Sequence, residues 1–311
     1  MEPLIVKFAI ERFAIALVGC GIASYYDVFN NRNVPNWLTY GMVALGVCLG
    51  FFDLAGTTIL SAAGPALLST QFLGVALTVF GPAVFLFLVG YYLYMNGQIG
   101  GADVLVFIAI ALLVPQQPFS PANDQSTPFF SIPYVVTIFA LSGILFSAYL
   151  FLTMVPRVVR GLLQKKVKID KKKTLMSAFV IVLYGFFLSN MYMMRVIPVP
   201  FILIIALVLV SAFFVYTFRD FILEEYVIRT VPLDKIDEED VLAIEKLDPE
   251  LVKKHNLKKV LTLKELEKLK DLPIKEFPIY KNMNCFMPHV LGALLISMVV
   301  GDIFTFMMRL G

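Results

Sequence analysis

The sequence predicts an all-α polytopic membrane protein with about 6–8 transmembrane helices and one small α/β or α+β region in water. Three observations predict this fold class. Of the 311 residues, 59% are hydrophobic and only 16% are charged. Apolar runs recur along most of the chain. The charges cluster in residues 219–282, the charged region, which holds 15 of the 23 acidic and 13 of the 26 basic residues.

Eight apolar runs are candidates for membrane-spanning helices. They lie near residues 6–26, 37–52, 71–95, 102–115, 132–155, 174–194, 198–217 and 286–308. A helix needs about 20 residues to cross about 30 Å of hydrocarbon. The first and fourth runs are weak in length, because Glu11 and Arg12 interrupt the first and Pro115 cuts the fourth short. The number of spans is therefore predicted as six to eight.

Basic residues in the short loops predict the orientation. Residues 156–173 hold eight basic residues and one acid, whereas residues 53–70 and 116–131 hold no Lys or Arg. Cytoplasmic loops carry the excess of Lys and Arg. The basic loop 156–173 is therefore predicted to be cytoplasmic. Counting helices from it places the Arg32 loop, the turn at 97–101 and the charged region on the same side, and both termini outside.

The charged region has the patterns of a small folded unit. Residues 237–247 (DEEDVLAIEKL) predict a helix with acids in its first turn, and residues 262–269 (TLKELEKL) predict a second helix that starts with the spacing of a capping box. Residues 226–233 and 275–281 predict strands. A unit of roughly 60 residues is small for an enzyme with a core of its own.

Eight carboxylates lie outside the charged region, and an ionisable group at membrane depth is a functional candidate. Glu11, beside Arg12 and four residues after Lys7, indicates an interfacial ion pair. Asp53 is predicted to be a solvated loop residue at the outer end of the second helix, and Asp302 to make a polar contact between helices. Solvated positions in tails or polar loops are predicted for Glu2, Asp124 and Asp170.

Asp27 and Asp103 remain, and the predicted topology places both at the cytoplasmic face. Asp27 closes the first run, at the end of its helix where the dipole disfavours an anion. Asp103 lies in the first turn of the fourth run, where an acid is favourable. Each acid alone has a structural interpretation, as an interfacial turn residue or a helix-start residue. Held close, however, two carboxyls share a proton, so one can activate water while the other protonates the carbonyl or leaving group. The pair predicts the chemistry of an aspartic protease.

The surroundings of both acids resemble motifs of a known family. Residues 24–38 (SYYDVFNNRNVPNWL) resemble the first aspartate motif of type IV prepilin and preflagellin peptidases. Residues 100–107 (GGADVLVF) resemble their second, Gly-x-Gly-Asp, shared with presenilin-type intramembrane proteases. The match departs at Ala102, where the strict motif has a glycine. No Cys-x-x-Cys pair is present, which favours the archaeal branch and gives no support for a methyltransferase activity.

The resemblance implies an aspartic endopeptidase with Asp27 and Asp103 as its dyad and with no metal or cofactor. Its partners would be type IV pilin-like precursors, either archaellins or archaeal pilins, whose short basic leader it removes at the cytoplasmic face of the cell membrane. We interpret Gly100, Gly101 and Ala102 as the surface along which the extended substrate lies, because small residues permit close approach.

This interpretation divides the chain into four parts. Residues 1–115 form a catalytic membrane core with both motifs, and residues 116–218 add further transmembrane helices and the basic loop 156–173. Residues 219–282 form the charged cytoplasmic region, which is interpreted either as a cover or recognition element for the site or as a solvated unit without contact to substrate. Residues 283–311 form the C-terminal transmembrane helix.

Two other classes of function stay open. An ion or proton-coupled transporter could use Asp27 and Asp103 to bind a cation or relay a proton. Against it, no inverted repeat is evident, and both acids are predicted at one face instead of the midplane. A noncatalytic assembly factor would use the charged region to bind a partner. The two histidines, His255 and His289, and the three separate cysteines form no pattern of a metal site or a Ser/His hydrolase.

Overall fold

Eight helices of the structure coincide with the eight apolar runs of the sequence. A computed structural model describes residues 8–30, 33–60, 65–97, 99–118, 133–167, 170–194, 197–238, 240–270, 272, 274–281, 284–303 and 306. The eight helices are α1 (Ala9–Phe29), α2 (Asn36–Leu60), α3 (Pro65–Met95), α4 (Gly101–Leu113), α5 (Tyr134–Leu163), α6 (Lys171–Met193), α7 (Val199–Thr217) and α11 (Met287–Val300). Within these described ranges, six helices, all except α4 and α11, are long and apolar enough to cross a membrane. The chain is therefore a multi-pass membrane protein, and the predicted fold class is confirmed.

Helix α4 is the central element of the bundle. It has 13 residues and a length of about 20 Å, too short to span a membrane alone. Every side chain from Val106 to Leu113 is buried, as expected for a helix that is apolar on all sides. Glycines let α2 and α3 approach it: a Cβ at Gly46 would lie 2.6 Å from Leu112 Cβ, and one at Gly90 would overlap the Val104 side chain.

Helix α11 packs between α1 and α5 and is held by polar contacts at its far end. Thr137 Oγ1 donates to Asp302 Oδ1 at 2.7 Å, and the hydroxyls of Tyr134 and Ser297 share a hydrogen bond. The predicted polar contact of Asp302 is confirmed. On the other side of α5 lie α7 and then α6. Most of their apolar side chains are exposed in the isolated chain, as expected for a surface covered by lipid.

The loop predicted at residues 53–70 is wrong, and so is the solvated position of Asp53. Helix α2 continues to Leu60 and α3 begins at Pro65. Asp53 is only 2% exposed and accepts two hydrogen bonds of 2.7 Å from the guanidinium of Arg12. Arg12 was expected to form an interfacial ion pair with Glu11. Its ion pair is instead with Asp53, 41 residues away. Lys7, the other expected partner of Glu11, and Arg32 of the loop predicted after the first helix lie outside the described residues.

The charged region contains short elements around a small core of its own. Its named elements include α8 (Arg219–Ile222), β1 (Ile228–Pro232), α9 (Pro249–His255), α10 (Leu263–Lys270) and β2 (Glu276–Tyr280). Strands β1 and β2 pair antiparallel, which confirms both predicted strands, and α10 confirms one predicted helix. The buried core consists of Ile236, Leu242, Leu257, Leu261, Leu269, Leu272, Phe277 and Ile279.

The helix predicted at residues 237–247 is wrong. Leu242 is fully buried and bridges to Ile279, and its N–H donates to the carbonyl of Lys259 at 2.7 Å. These long-range backbone bonds extend the sheet and override the local helical pattern. Only a short 3₁₀ turn, Ile244–Lys246, remains helical.

The start of the charged region is fastened to the basic loop at the end of α5. Lys173 donates to Asp220 at 2.6 Å, and Lys166 lies 3.6 Å from Glu225. The hydrogen bond from Lys173 lowers the pKa of the Asp220 carboxyl. The basic loop and the charged region therefore lie at the same end of the bundle.

Candidate active site

Three helix ends meet at the end of the bundle that carries the charged region. They are the C-terminal end of α1 with Asp27, the N-terminal end of α4 with Asp103, and the N-terminal end of α11 with Met287. Helices α1 and α4 pack against each other, and α11 packs against α1. Asp27 and Asp103, which are 76 positions apart in sequence, thus lie at the same end of the bundle.

Asp27 is buried and bonded to the first residue of α11. Its side chain is 7% exposed, and Oδ2 accepts a hydrogen bond of 3.0 Å from the backbone N–H of Met287. Cys285 Sγ lies 3.3 Å from the carbonyl oxygen of Asp27. The position of Asp27 at the unfavourable end of its own helix is explained here, because the N-terminal end of α11 supplies a backbone donor and the positive end of a helix dipole.

Asp103 is the third residue of α4 and faces its own helix start. Gly100 is the extended N-cap residue, with φ −69° and ψ 144°, and its backbone forms a hydrogen bond with the Asp103 carboxyl. A Cβ at position 100 would lie 3.2 Å from Asp103 Oδ2. Glycine at this position therefore leaves room for the carboxylate.

The charges of the two acids act on each other across the site. Each carboxyl group has a backbone hydrogen bond, Asp27 with Met287 and Asp103 with Gly100. Two like charges in a partly buried site disfavour double ionisation, so the arrangement suits a pair that shares one proton.

The other small residues of the second motif have distinct surroundings. A Cβ at Gly101 would lie 3.2 Å from Cε2 of Tyr94, so this glycine gives the ring its place on the start of α4. Ala102 is partly buried and packs against the buried hydrophobic core of the helix bundle. The residue of this turn that needs a left-handed backbone is Gly97, with φ +65°. Sequence reasoning missed Gly97, although a glycine two residues after the end of a helix is the typical signal for that conformation.

Helix α11 was also missed as part of the site. His289 lies in its first turn, with its ring centroid 5.3 Å from that of Phe146 and 5.0 Å from that of Tyr149, and the charge of Asp27 acts on it. A proline at the second position of an apolar run, Pro288, marks the helix start in the sequence. Nothing in the sequence shows which acid that start would meet. The described residues contain no group of three or more His, Cys, Asp or Glu that could hold a metal ion.

The model of the type IV leader peptidase family matches residues 14–151. The matched segment contains both acids and ends within α5. The charged region and α11 lie outside it. No curated protein and no solved structure matches the chain.

Proposed function

We propose, from the match of residues 14–151 to the model of the type IV leader peptidase family, that this chain is an aspartic endopeptidase with Asp27 and Asp103 as its catalytic pair. It removes the short basic leader from type IV pilin-like precursors. The observation that carries the proposal is that the charge of Asp27, at the end of α1, acts on Asp103, 76 residues away in sequence at the start of α4.

The shared proton defines the chemistry of the pair. The ionised carboxyl accepts a proton from water as the water oxygen attacks the carbonyl carbon of the scissile peptide bond, while the protonated carboxyl hydrogen-bonds to the carbonyl oxygen. The tetrahedral intermediate collapses when the peptide nitrogen is protonated and the C–N bond breaks. One water is consumed, and the pair is returned to its singly protonated state.

We infer the side of the membrane from the charge distribution. The acid pair lies at the end of the bundle where the basic loop 156–173 is tied to the charged region. An excess of Lys and Arg favours the cytoplasmic side of a cell membrane. A precursor would therefore present its leader to the site just cytoplasmic of its own apolar helix.

The substrate strand is proposed to run along Gly100, Gly101 and Ala102, next to Asp103. Gly100 is exposed and Gly101 and Ala102 are partly exposed; they carry at most a methyl group, so an extended peptide can approach closely. Archaellin and archaeal pilin precursors share the basic leader and the apolar helix, and both fit this proposal. A transporter is less well supported, because its acids are expected near the midplane and these lie at one end of the bundle.

Cleavage of a purified precursor by the full chain in liposomes tests the proposal. The precursor carries a basic leader that ends in glycine ahead of an apolar helix. Wild type is expected to release the leader, and Asp27→Asn and Asp103→Asn are each expected to be inactive while folded. Parallel reactions with an archaellin and an archaeal pilin precursor determine the preferred substrate.

Asp170→Asn is the matched control. It makes the same chemical change at an exposed acid that caps α6, where its side chain accepts from the N–H of Lys172 at 2.9 Å. Asparagine keeps that capping bond, so full activity is expected. The aspartic mechanism is rejected if either active-site variant cleaves as well as Asp170→Asn. If cleavage is absent in all proteins and ion flux depends on Asp27, the transporter replaces the peptidase.

A further inference from the structure

The charged region contacts the candidate site at two separate points, one on the side of each acid. The first contact is with the turn that precedes Asp103, and the second is through the segment that leads into α11 and to Asp27. At both points, residues outside the stretch matched by the family model contact residues inside it.

The first contact is at Gly97. An ideal Cβ at this glycine would lie 3.2 Å from Val241 Cγ1 and 3.5 Å from Lys259 Cβ, so the charged region rests directly on the turn. The turn is fixed to α4 on its other side, because Tyr94 packs against Gly101. Close contacts therefore connect the charged region to the turn, and the turn to the start of α4, the helix that holds Asp103.

The second contact begins at the end of β2. Lys281, the residue after Tyr280, lies 3.2 Å from Asp240 of the charged region. Six residues beyond Lys281, the backbone N–H of Met287 donates to Asp27. The donor to Asp27 is therefore joined to the sheet of the charged region by a short covalent connection.

The two contacts belong to one folded unit. The segment that touches Gly97 pairs with β2 through the bridge between Leu242 and Ile279, and the N–H of Tyr280 donates to the carbonyl of Val241 at 2.9 Å. A movement of the charged region relative to the bundle therefore acts on both acids.

We propose that the charged region is a clamp that sets the position of Asp27 relative to Asp103, with the backbone N–H of Met287 as the positioning group for Asp27. The inference rests on the proposed function. It gives the charged region, which lies outside the family match, the role of positioning the catalytic acids. The clamp keeps Asp27 and Asp103 at a fixed relative position without contacting the scissile bond.

Replacement of Met287 separates its backbone donor from its side chain. Met287→Pro and Met287→Ala both remove the buried thioether side chain, but only proline removes the N–H. Proline is tolerated at the first position of a helix. Met287→Pro is expected to lower kcat about tenfold below Met287→Ala, the loss expected for one hydrogen bond to a charged group, with KM for the precursor unchanged.

The pH–rate profile separates positioning from general damage to the fold. Titratable groups that interact with Asp27 include Asp103 on α4 and Cys285 and His289 near the start of α11. All three are kept in both variants. Because the ionised form of Asp27 loses a donor, the acid limb of the profile is expected to move to higher pH in Met287→Pro and to stay in place in Met287→Ala. Identical kcat and pH profiles in the two variants would overturn the clamp.

A disulfide tests the contact at Gly97 and remains informative if Met287→Pro fails to fold. The 3.5 Å between the Cβ positions of residues 97 and 259 is within the range for a disulfide. A side chain at residue 97 is strained by the left-handed backbone there (φ +65°), so the reduced form of Gly97→Cys/Lys259→Cys is the reference for its oxidised form. The oxidised form is expected to be as active as the reduced form, because the clamp is docked during turnover. Lys259→Cys alone is the control for oxidation of the natural cysteines. Activity that is lost on oxidation and restored by a reductant only in the double variant would overturn the proposal.

These outcomes are distinguishable from failure of the proposed function. If wild type does not cleave, or Asp27→Asn does, the peptidase mechanism fails. If wild type cleaves and Asp27→Asn does not, while Met287→Pro equals Met287→Ala, only the clamp fails.

Discussion

The two ends of α1 each lie beside a buried carboxylate, but the two carboxylates have opposite kinds of partner. At one end, Asp53 receives two 2.7 Å hydrogen bonds from Arg12, whose guanidinium also donates to the carbonyl of Leu49 at 3.3 Å. At the other end, Asp27 faces a second acid, Asp103, and its carboxylate is bonded to a backbone N–H. The first site has matched charges, whereas the second places like charges together.

The difference separates stability from chemistry. Removal of one partner of a buried ion pair lowers the free energy of unfolding, because the other charge is left buried without a partner. A pair of like charges is itself unfavourable and is retained where a perturbed ionisation is useful. We therefore expect mutations at the Arg12 end to affect folding and mutations at the Asp27 end to affect catalysis.

The largest effect is expected for Asp27→Asn and Asp103→Asn. Each is expected to reduce kcat by at least about 10³-fold, because the acid–base pair is lost. Neither is expected to lower Tm in detergent, since the unfavourable pairing of two acids is removed. Thermal unfolding and precursor cleavage in the same preparations check both statements. A large fall in Tm with either variant would break the comparison.

Removal of one partner at the other end is expected to destabilise the fold by about 3–5 kcal/mol. Arg12→Ala and Asp53→Ala each leave a buried charge unpaired, so both should lower the free energy of unfolding while activity per folded molecule is kept. The double variant Arg12→Met/Asp53→Leu replaces the pair with apolar side chains and is expected to recover much of the loss. A double variant no more stable than either single one contradicts the ion-pair explanation.

Close packing around α4 is expected to give an intermediate effect. Gly46→Ala would place a Cβ 2.6 Å from that of Leu112, and overpacking of this kind costs about 1–3 kcal/mol. Gly41→Ala on the same helix meets no atom within 4 Å and is the control. Equal unfolding temperatures for the two variants would show that α2 and α4 are not in close contact.

The smallest effect is expected at the contact between α5 and the end of α11. Thr137→Val removes one donor to Asp302, at a cost of about 1 kcal/mol. Thr153→Val is the control, because Thr153 bonds only to carbonyls within α5 in the contacts described. Both variants are expected to keep full cleavage activity, and a selective loss of activity in Thr137→Val would show that catalysis also depends on the end of the bundle opposite Asp27.

The sequence predicted what local patterns determine. Eight apolar runs became eight helices, and the segments with β-branched or aromatic residues at both ends of the charged region became paired strands, because hydropathy and period act within a few residues. The placement of Asp27 and Asp103 at one end of the bundle was predicted only through the topology and the family motifs, since spacing in sequence carries no distance.

The errors concern contacts between distant segments. Asp53 was predicted to be solvated because its partner, Arg12, lies 41 residues away on another helix. The donor to Asp27 lies 260 residues away, on a helix that carries no motif. Residues 237–247 follow a helical pattern, but the backbone of Leu242 is bonded to Lys259. Tertiary hydrogen bonds decided each of these positions.

The most direct test of the account is precursor cleavage by Asp27→Asn and Asp53→Asn at equal concentrations of folded protein, with Tm measured on the same samples. The account predicts that Asp27→Asn is inactive with an undiminished Tm, and that Asp53→Asn cleaves at close to the wild-type rate per folded molecule with a lowered Tm. Cleavage that follows Tm in both variants would contradict the assignment of chemistry to one end of α1 and stability to the other.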